Sequence, residues 1–396
     1  LSLLFWISAF VIAYVYAGYP ALLAAGAFGR RRKLASPQVA GARGLPLVSV
    51  IVAAHNEEAV IERKIQNILA CDYPAERLEV LIGSDGSSDR TEEIVRRYAD
   101  KGVGLVSFPH QQGKSAIQNG LVAFASGSVL AFTDSDCEME AHALRTIVAR
   151  LEDATVGLVT AIPRYINEAE STVTRNESTY LRYESWIREQ ESARGVLAMA
   201  SGSLFAIPRE AWKPLQRNLG DDFELPLRTV LAGKRCVTDP QLRTITRLSQ
   251  SSAGAMFGLK ARIVSKDFRA LLAYRAALNP LRHGAVALAL WSHKLLRWLI
   301  PCFLIALFVA SAGLARAPFY RLALIAQVAF YALAAAGAML SARGRNSVLT
   351  VPFSFCLVNA AALAGLLRCV TGRASGAWTP VRSGPEPESA ASETAH

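Results

Sequence analysis

Charge is scarce in this sequence. Asp, Glu, Lys and Arg make up 19% of its 396 residues against 52% hydrophobic residues, a balance that argues against a wholly water-soluble protein of this size. Residues 1–28 carry no charge at all, and that run exceeds the roughly 20 residues needed to cross a bilayer. The six cysteines, Cys71, Cys137, Cys236, Cys302, Cys356 and Cys369, are scattered. With no Cys-x-x-Cys pair and no His/Cys grouping at zinc spacing, they read as reduced core or membrane residues. The Gly-Lys-Ser triplet at 113–115 lacks the glycine that a phosphate loop needs five positions earlier, where Phe108 stands, which sets an NTPase aside. No internal repeat is present. No apolar span carries a charge well away from its ends, which argues against a transporter.

Basic residues exceed acidic ones, 43 against 32. That excess suits an anionic leaflet, a polyanionic ligand or nucleic acid, and charge alone does not choose among them. The chain begins with Leu, so an earlier start is expected. After the charge-free run comes the basic stretch at 30–33; a secretory signal places such charges before its apolar segment, so an anchor helix with a cytoplasmic carboxyl end is preferred over a cleaved signal.

Four parts follow: a transmembrane anchor at 1–29, a mixed domain at 45–278, interfacial and transmembrane helices at 279–370, and a tail at 371–396, rich in Pro, Ser and Glu, that is cytoplasmic or disordered. Apolar spans are expected near 295–315, 319–341 and 347–367. Within the mixed domain Val48–Val52 reads as a buried strand, and Val60, Ile61, Ile65, Ile68 and Leu69 fall on one helix face. Strands at "LEVLIGSD", "VGLVSF" and "VLAF" alternate with further helical patterns. This predicts an α/β fold, a mostly parallel sheet with helices on both faces. Ligands bind beyond the carboxyl ends of such strands, where the polar motifs fall.

Those motifs are "AAHNEE" (53–58), "SDGSSDRT" (84–91), "GKSAIQNG" (113–120), "DSD" (134–136) and "GDDFE" (220–224). Small residues at a strand end admit a flat or charged ligand, although the same residues make ordinary turns and caps. An Asp-x-Asp after a buried strand offers hard oxygens to Mg²⁺ or Mn²⁺, whose shell is commonly completed by substrate phosphates; a solvated acidic turn is the plainer alternative. Asp221, Asp222 and Glu224 open an amphipathic helix, where acids favour the dipole and one aspartate can also act as a base.

In this order the motifs, over about residues 46–265, resemble the family 2 glycosyltransferases, inverting enzymes on a GT-A fold. The resemblance is to bacterial exopolysaccharide and cell-envelope polysaccharide synthases. It implies that His55, Asn56, Glu57 and Asp85 line a nucleotide pocket, with Lys114 and Gly202 beside the sugar donor. It further implies that Asp134 and Asp136 form the metal-binding pair with Asp136 the closer ligand, and that Asp222, aided by Asp221, is the base. Polymer-forming members carry Gln-x-x-Arg-Trp after the base; here Leu259 and Ile263 replace Gln and Trp, leaving Arg262 to neutralise the leaving diphosphate. The expected reaction is metal-dependent transfer from a nucleotide-diphosphosugar, a UDP-sugar by preference, to a membrane lipid or growing glycan. Single-sugar transfer to a glycolipid or polyprenyl-linked acceptor is the alternative, and a non-catalytic sugar-nucleotide-binding subunit of an export complex a further one. The expected place is the inner (plasma) membrane, multi-pass, with the catalytic domain cytoplasmic. Export or assembly proteins are expected partners and nucleic acid is not. His293, Lys294 and Arg297 are expected at the lipid headgroups. Three full crossings would put the tail outside, whereas "GAWTPVR" (376–382) resembles a cytoplasmic element. Pro352, Ser354 and Asn359 interrupt the last span, which could re-enter instead.

Overall fold

The computed structural model describes residues 1–29, 44–166, 172–217, 219–246, 252–342 and 349–372. The basic stretch at 30–33 and the element at 376–382 lie outside the described residues. The chain opens on α1 (Ser2–Ala13), a π-helical stretch (Tyr14–Gly18) and α2 (Tyr19–Ala24). Strands and helices then alternate: β1 (Val48–Ala54), α3 (Ile61–Leu69), β2 (Leu78–Asp85), α4 (Thr91–Arg96), β3 (Val103–Phe108), α5 (Lys114–Phe124) and β4 (Val129–Phe132). Next come β5 (Cys137–Met139), α6 (Ala143–Leu151), β6 (Val156–Tyr165), α7 (Thr172–Arg194), β7 (Phe205–Pro208), α8 (Asp221–Leu231) and β8 (Arg235–Thr246).

The strands form one mixed sheet in the order β3-β2-β1-β4-β7-β6-β8-β5. Pairings β1–β2, β1–β4, β2–β3 and β6–β8 are parallel, while β4–β7, β6–β7 and β5–β8 are antiparallel. Every residue of β1 is buried, as a central strand covered on both faces must be. Its side chains alternate: Ile51 and Ala53 join the core beneath α5, α8 and the later helices, while Val48, Val50 and Val52 join the core beneath α3, α4 and α6. The sheet is therefore the middle of three layers. Registers Ala54↔Ser84 and Ile51↔Phe132 bring the ends of β1, β2 and β4 to one edge, where the loops at 55–58, 85–91 and 133–136 cluster.

Beyond the sheet lie α9 (Ala253–Ala273), α10 (Pro280–Ala289), a π-helical stretch (Leu290–Leu295), α11 (Leu296–Gly313), α12 (Pro318–Ala342) and α13 (Thr350–Val370). Among the described residues, four helical stretches are long and apolar enough to cross a membrane: Ser2–Ala24, Pro280–Gly313, Pro318–Ser341 and Thr350–Val370. The second starts earlier than expected from sequence, and its helix breaks at Gly284, where φ is 50° and ψ −125°. The last is continuous through Pro352, Ser354 and Asn359. Phe5 and Trp6 pack on Phe319, tying the N-terminal helix to the C-terminal ones. Gly365 of α13 lets α9 approach closely, because a Cβ there would sit 2.7 Å from the Ala261 carbonyl oxygen.

His293, Lys294 and Arg297 are not arranged as headgroup anchors. They turn inward onto α7, where Glu184 is buried and receives His293 Nε2 at 2.9 Å, Lys294 Nζ at 3.2 Å and Arg297 NH1 at 3.0 Å. The other histidine nitrogen, Nδ1, lies 2.8 Å from Glu191, which also accepts from the Tyr19 hydroxyl at 2.5 Å. Both imidazole nitrogens thus face carboxylates. Arg297 in turn stacks over Tyr16, Tyr180 and Tyr183. The sequence shows each charge but not its partner, about a hundred residues away. Burial would push the Glu184 carboxyl up, yet the three cations hold it well below the usual carboxylate range.

Glu184 thus gathers His293, Lys294 and Arg297, with Arg188 of its own helix 3.8 Å away. Replacing it, Glu184→Gln, leaves those cations without their counter-charge, which costs about 3–5 kcal/mol. The expected outcome is a marked fall in the melting temperature of the detergent-purified protein, with the exposed Glu76→Gln unchanged. Equal melting of the two variants would show that the network carries no net stability.

Candidate active site

The loops at the sheet edge are laced together before any ligand is considered. Asn56 takes φ 54°, which its short polar side chain tolerates. From there its backbone N–H donates to Ser87 Oγ at 3.0 Å and its Oδ1 accepts from the Ser88 N–H at 2.7 Å. Glu57 N–H reaches Thr91 Oγ1 at 2.7 Å, and His55 Nδ1 lies 2.6 Å from the Asp85 carbonyl oxygen. The Asp85 carboxylate is buried and accepts from the Gln112 N–H at 2.6 Å and the Gly113 N–H at 2.9 Å. It therefore anchors the loop that leads into α5. Gly86, at φ 64°, lies so near His110 and Gln111 that a Cβ would collide with their backbone. His55, Asn56, Glu57 and Asp85 accordingly share one cradle of paired loops.

A second group lies across β4. Lys114, the first residue of α5, donates to Asp134 Oδ1 at 2.7 Å and stands 3.1 Å from Asp221 Oδ2. Burial opposes its charge, but Asp134 and then Asp221 hold the ammonium above its ordinary value. Asp221 is buried and also accepts from Gln118 Nε2 at 2.7 Å. Burial would raise its carboxyl, while Lys114 and Gln118 bring it below the ordinary value. Gly202 sits against this cluster, its Cα side 3.0 Å, measured from the place of a Cβ, from Asp134 Oδ2. Lys114 thus joins Asp134 to Asp221, and Gly202 lies against Asp134 and Lys114.

Asp222 differs from its neighbour. Its backbone carbonyl accepts from the Ala200 N–H at 2.8 Å, but among the described residues its carboxylate has no hydrogen-bond partner. Burial and the Asp221 charge push it up to about 6, near the range a general base needs. Burial of the Asp136 carboxyl together with the Asp134 charge pushes it up to about 6 as well.

Among the described residues no three His, Cys, Asp or Glu side chains gather into a metal cluster. What Asp134 and Asp136 offer is a pair of hard oxygens that resist joint ionisation. Such a pair fits Mg²⁺ or Mn²⁺ with a ligand's phosphates completing the shell. Arg262 lies on α9, half-buried and without an ion pair among the described residues; burial lowers its pKa. One turn on, Lys266 senses Asp221 and Asp222.

Lys64 escapes a motif reading. Its ammonium is buried behind the Asp-x-Asp turn and donates to Thr133 Oγ1 at 2.7 Å and the Cys137 carbonyl at 2.8 Å. The available signal was a lysine at a core position of the α3 stripe Ile61, Lys64, Ile65, Ile68.

The family model "Glycosyl transferase family 2" matches residues 49–215. Those residues belong to the family 2 glycosyltransferases. A beta-monoglucosyldiacylglycerol synthase of Trichormus variabilis is 29% identical over 194 residues, 46% of this chain and 41% of that protein. The probable glycosyltransferase YdaM of Bacillus subtilis is 32% identical over 200 residues, 48% of each. The chain thus matches less than half the length of these curated relatives. A solved mannosyltransferase of Pyrobaculum calidifontis, PcManGT, in complex with GDP-Man and Mn²⁺, superposes with a TM-score of 0.68 at 22% identity, over 93% of this chain and 99% of that one. The glycosyltransferase domain has the GT-A fold, and the likeness extends into the apolar helices.

The cation between Asp134 and Asp221 is the element to remove. Lys114→Met leaves buried Asp221 with only its amide partner, at a cost of about 3 kcal/mol. Since Lys114 lowers the Asp221 carboxyl, that stabilisation is present above the unfolded carboxylate value near 3.9 and is lost as pH falls through the lower folded value. Melting curves at pH 7 should show the variant well below wild type, and the gap should narrow toward pH 3. A constant gap would assign the loss to packing.

Proposed function

We propose that the protein transfers a sugar, with inversion, from a nucleoside-diphosphate sugar to a hydroxyl of a membrane-associated acceptor. The observation that carries this reading is the unpaired Asp222 carboxylate standing beside the Lys114–Asp134–Asp221 cluster. A base for the acceptor and a diphosphate site for the donor then lie a few side chains apart. The loops around His55, Asn56, Glu57 and Asp85 form the wall for the nucleotide.

Asp134 and Asp136 would hold a Mg²⁺ or Mn²⁺ ion, which when bound neutralises the diphosphate as it leaves. Lys114 fixes Asp134 from behind and adds a positive charge beside the departing phosphate oxygens. Asp221, held by Lys114 and Gln118, sets the first turn of α8 and so the place of Asp222. Asp222 removes the proton from the acceptor hydroxyl as that oxygen bonds to the anomeric carbon; the bond to the diphosphate breaks on the opposite face, and the proton stays on Asp222 until water takes it. Arg262 supplies further positive charge toward the crevice.

The acceptor is read as lipid-anchored. Apolar helices pack directly on α9 and α7, so a headgroup hydroxyl can reach α8 while its chains stay in lipid. Leu259 and Ile263 stand where polymer-forming relatives carry Gln and Trp, and one relative is by name a glycolipid synthase. Both favour addition of one sugar over polymerisation. The basic stretch after the first apolar helix favours a cytoplasmic domain at the inner membrane.

The test is a panel of UDP- and GDP-sugars with lipid acceptors, with and without manganese, scored by released nucleoside diphosphate and by product size. Asp136→Asn should raise the donor KM about tenfold in a metal-dependent way. Asp222→Asn should leave donor binding nearly unchanged and lower kcat by about 10³-fold. Most of the activity surviving in Asp222→Asn would remove it as the base.

A further inference from the structure

The first turn of α8 and the middle of α9 meet at Gly220. A methyl group built there would lie 2.8 Å from Asp222 Oδ1 and 3.3 Å from Asp267 Oδ1, so carboxyls from two helices converge on one glycine. Its backbone, φ −79° and ψ 126°, is open to any residue. The missing side chain therefore serves the space between the two acids and not the turn.

Among the described residues Asp267 makes no hydrogen bond or ion pair. The charged groups facing it are Asp222 from α8, Lys294 from the π-helical stretch, Arg188 from α7, and Lys266 on its own helix. Arg188 Nε makes no hydrogen bond and lies 3.8 Å from Glu184 Oε1. Asp222 likewise has no other side chain to fix its rotamer.

We propose that Asp267 is a positioning residue for the transfer reaction: across Gly220 it turns a carboxyl O–H toward the Asp222 carboxylate and aims the remaining Asp222 oxygen at the acceptor hydroxyl. This rests on Asp222 being the base. Two acids so placed titrate as a pair, and only one of them ionises readily beside the other. Burial and the Asp222 charge push Asp267 up to about 8, while Asp222 is pushed up to about 6. Between those values one is a carboxylate and the other a carboxylic acid. Asp267 keeps its proton throughout; the proton that moves is the acceptor's, and it goes to Asp222.

The experiment compares detergent-purified full chains of wild type, Asp267→Ala, Asp267→Asn and Gly220→Ala. Asp267→Ala should lower kcat about tenfold with the donor KM unchanged. Gly220→Ala, which wedges a methyl between the acids, should do the same. Asp267→Asn, a neutral donor of the same shape, should restore most of the lost kcat. It should also remain active above pH 8, where wild type declines as Asp267 ionises beside Asp222.

Loss as deep as in Asp222→Asn would make Asp267 the base and overturn the proposal. Wild-type kcat and an unchanged alkaline limb in both Asp267 variants would overturn it too. A second readout needs no turnover. The folded chain holds this proton to about pH 8 and the unfolded chain releases it near pH 3.9. Its stabilisation is therefore full below the unfolded value and lost as pH rises through the folded one. Wild type should accordingly lose melting temperature relative to Asp267→Asn between pH 5 and 9. Parallel curves would sink the proposal even if no donor is turned over, an outcome that by itself counts only against the glycosyl-transfer reading.

Discussion

The arrangement hangs on one ammonium group. Lys114 stands between Asp134, at the end of a parallel strand, and Asp221, at the start of a helix that belongs to the acceptor side. Two acids drawn from segments 87 positions apart would otherwise repel across a half-dry crevice. With the cation between them they become a fixed frame, and the sidedness of the crevice follows. Asp136 lies beyond one end of that frame and Asp222 beyond the other. Among the described residues neither carboxylate has a side-chain hydrogen-bond or ion-pair partner. The paired acids hold the shape and the other two stay open to a ligand, a division that no single motif would reveal.

The same logic operates on a larger scale where the sheet meets the apolar helices. Glu184 gathers His293, Lys294 and Arg297, while Glu191 gathers His293 and Tyr19. The N-terminal helix, α7 and the segment leading into α11 are therefore joined by hydrogen-bonded charge and not only by apolar contact. Both partners in the Tyr14–Ser292 hydrogen bond lie in π-helical stretches. Such a bulge offsets the helix face, which brings the polar residues of each rod toward the other. A domain gripped in this way does not swivel freely over its anchor, and its crevice keeps a constant height relative to the lipid-facing helices.

Much of this was legible in the sequence, and the limits have physical reasons. The first three strands run six to eight residues and β4 is an unbroken apolar run, each bounded by turn residues. β5 and β7 are three and four residues long, too short for alternation to register, and β8 is crossed by Pro240 and an irregular register. Residues 280–294 hold Arg282, His283, His293 and Lys294, so hydropathy alone starts the span too late. Asp134, Asp136 and Asp222 could be named as candidates because each follows a local pattern. Lys64, Glu184 and Asp267 could not, since what distinguishes them is a partner or a neighbour remote in sequence.

α9 draws these strands together, because one face of it meets the membrane-type helices and the other the crevice. Ala261 and Val264 press against Gly365 of α13, so closely that any side chain at 365 would force the helices apart. Lys266 and Asp267, less than a turn further on, face Asp221 and Asp222. An α-helix transmits a displacement of one face to the other almost undiminished, since its backbone hydrogen bonds fix both. The distance between Asp267 and Asp222 therefore depends on how α9 seats on α13 as well as on how α8 seats on the sheet. One wall of the crevice is built on strand ends, whereas Asp267 is carried by a helix packed on the apolar bundle.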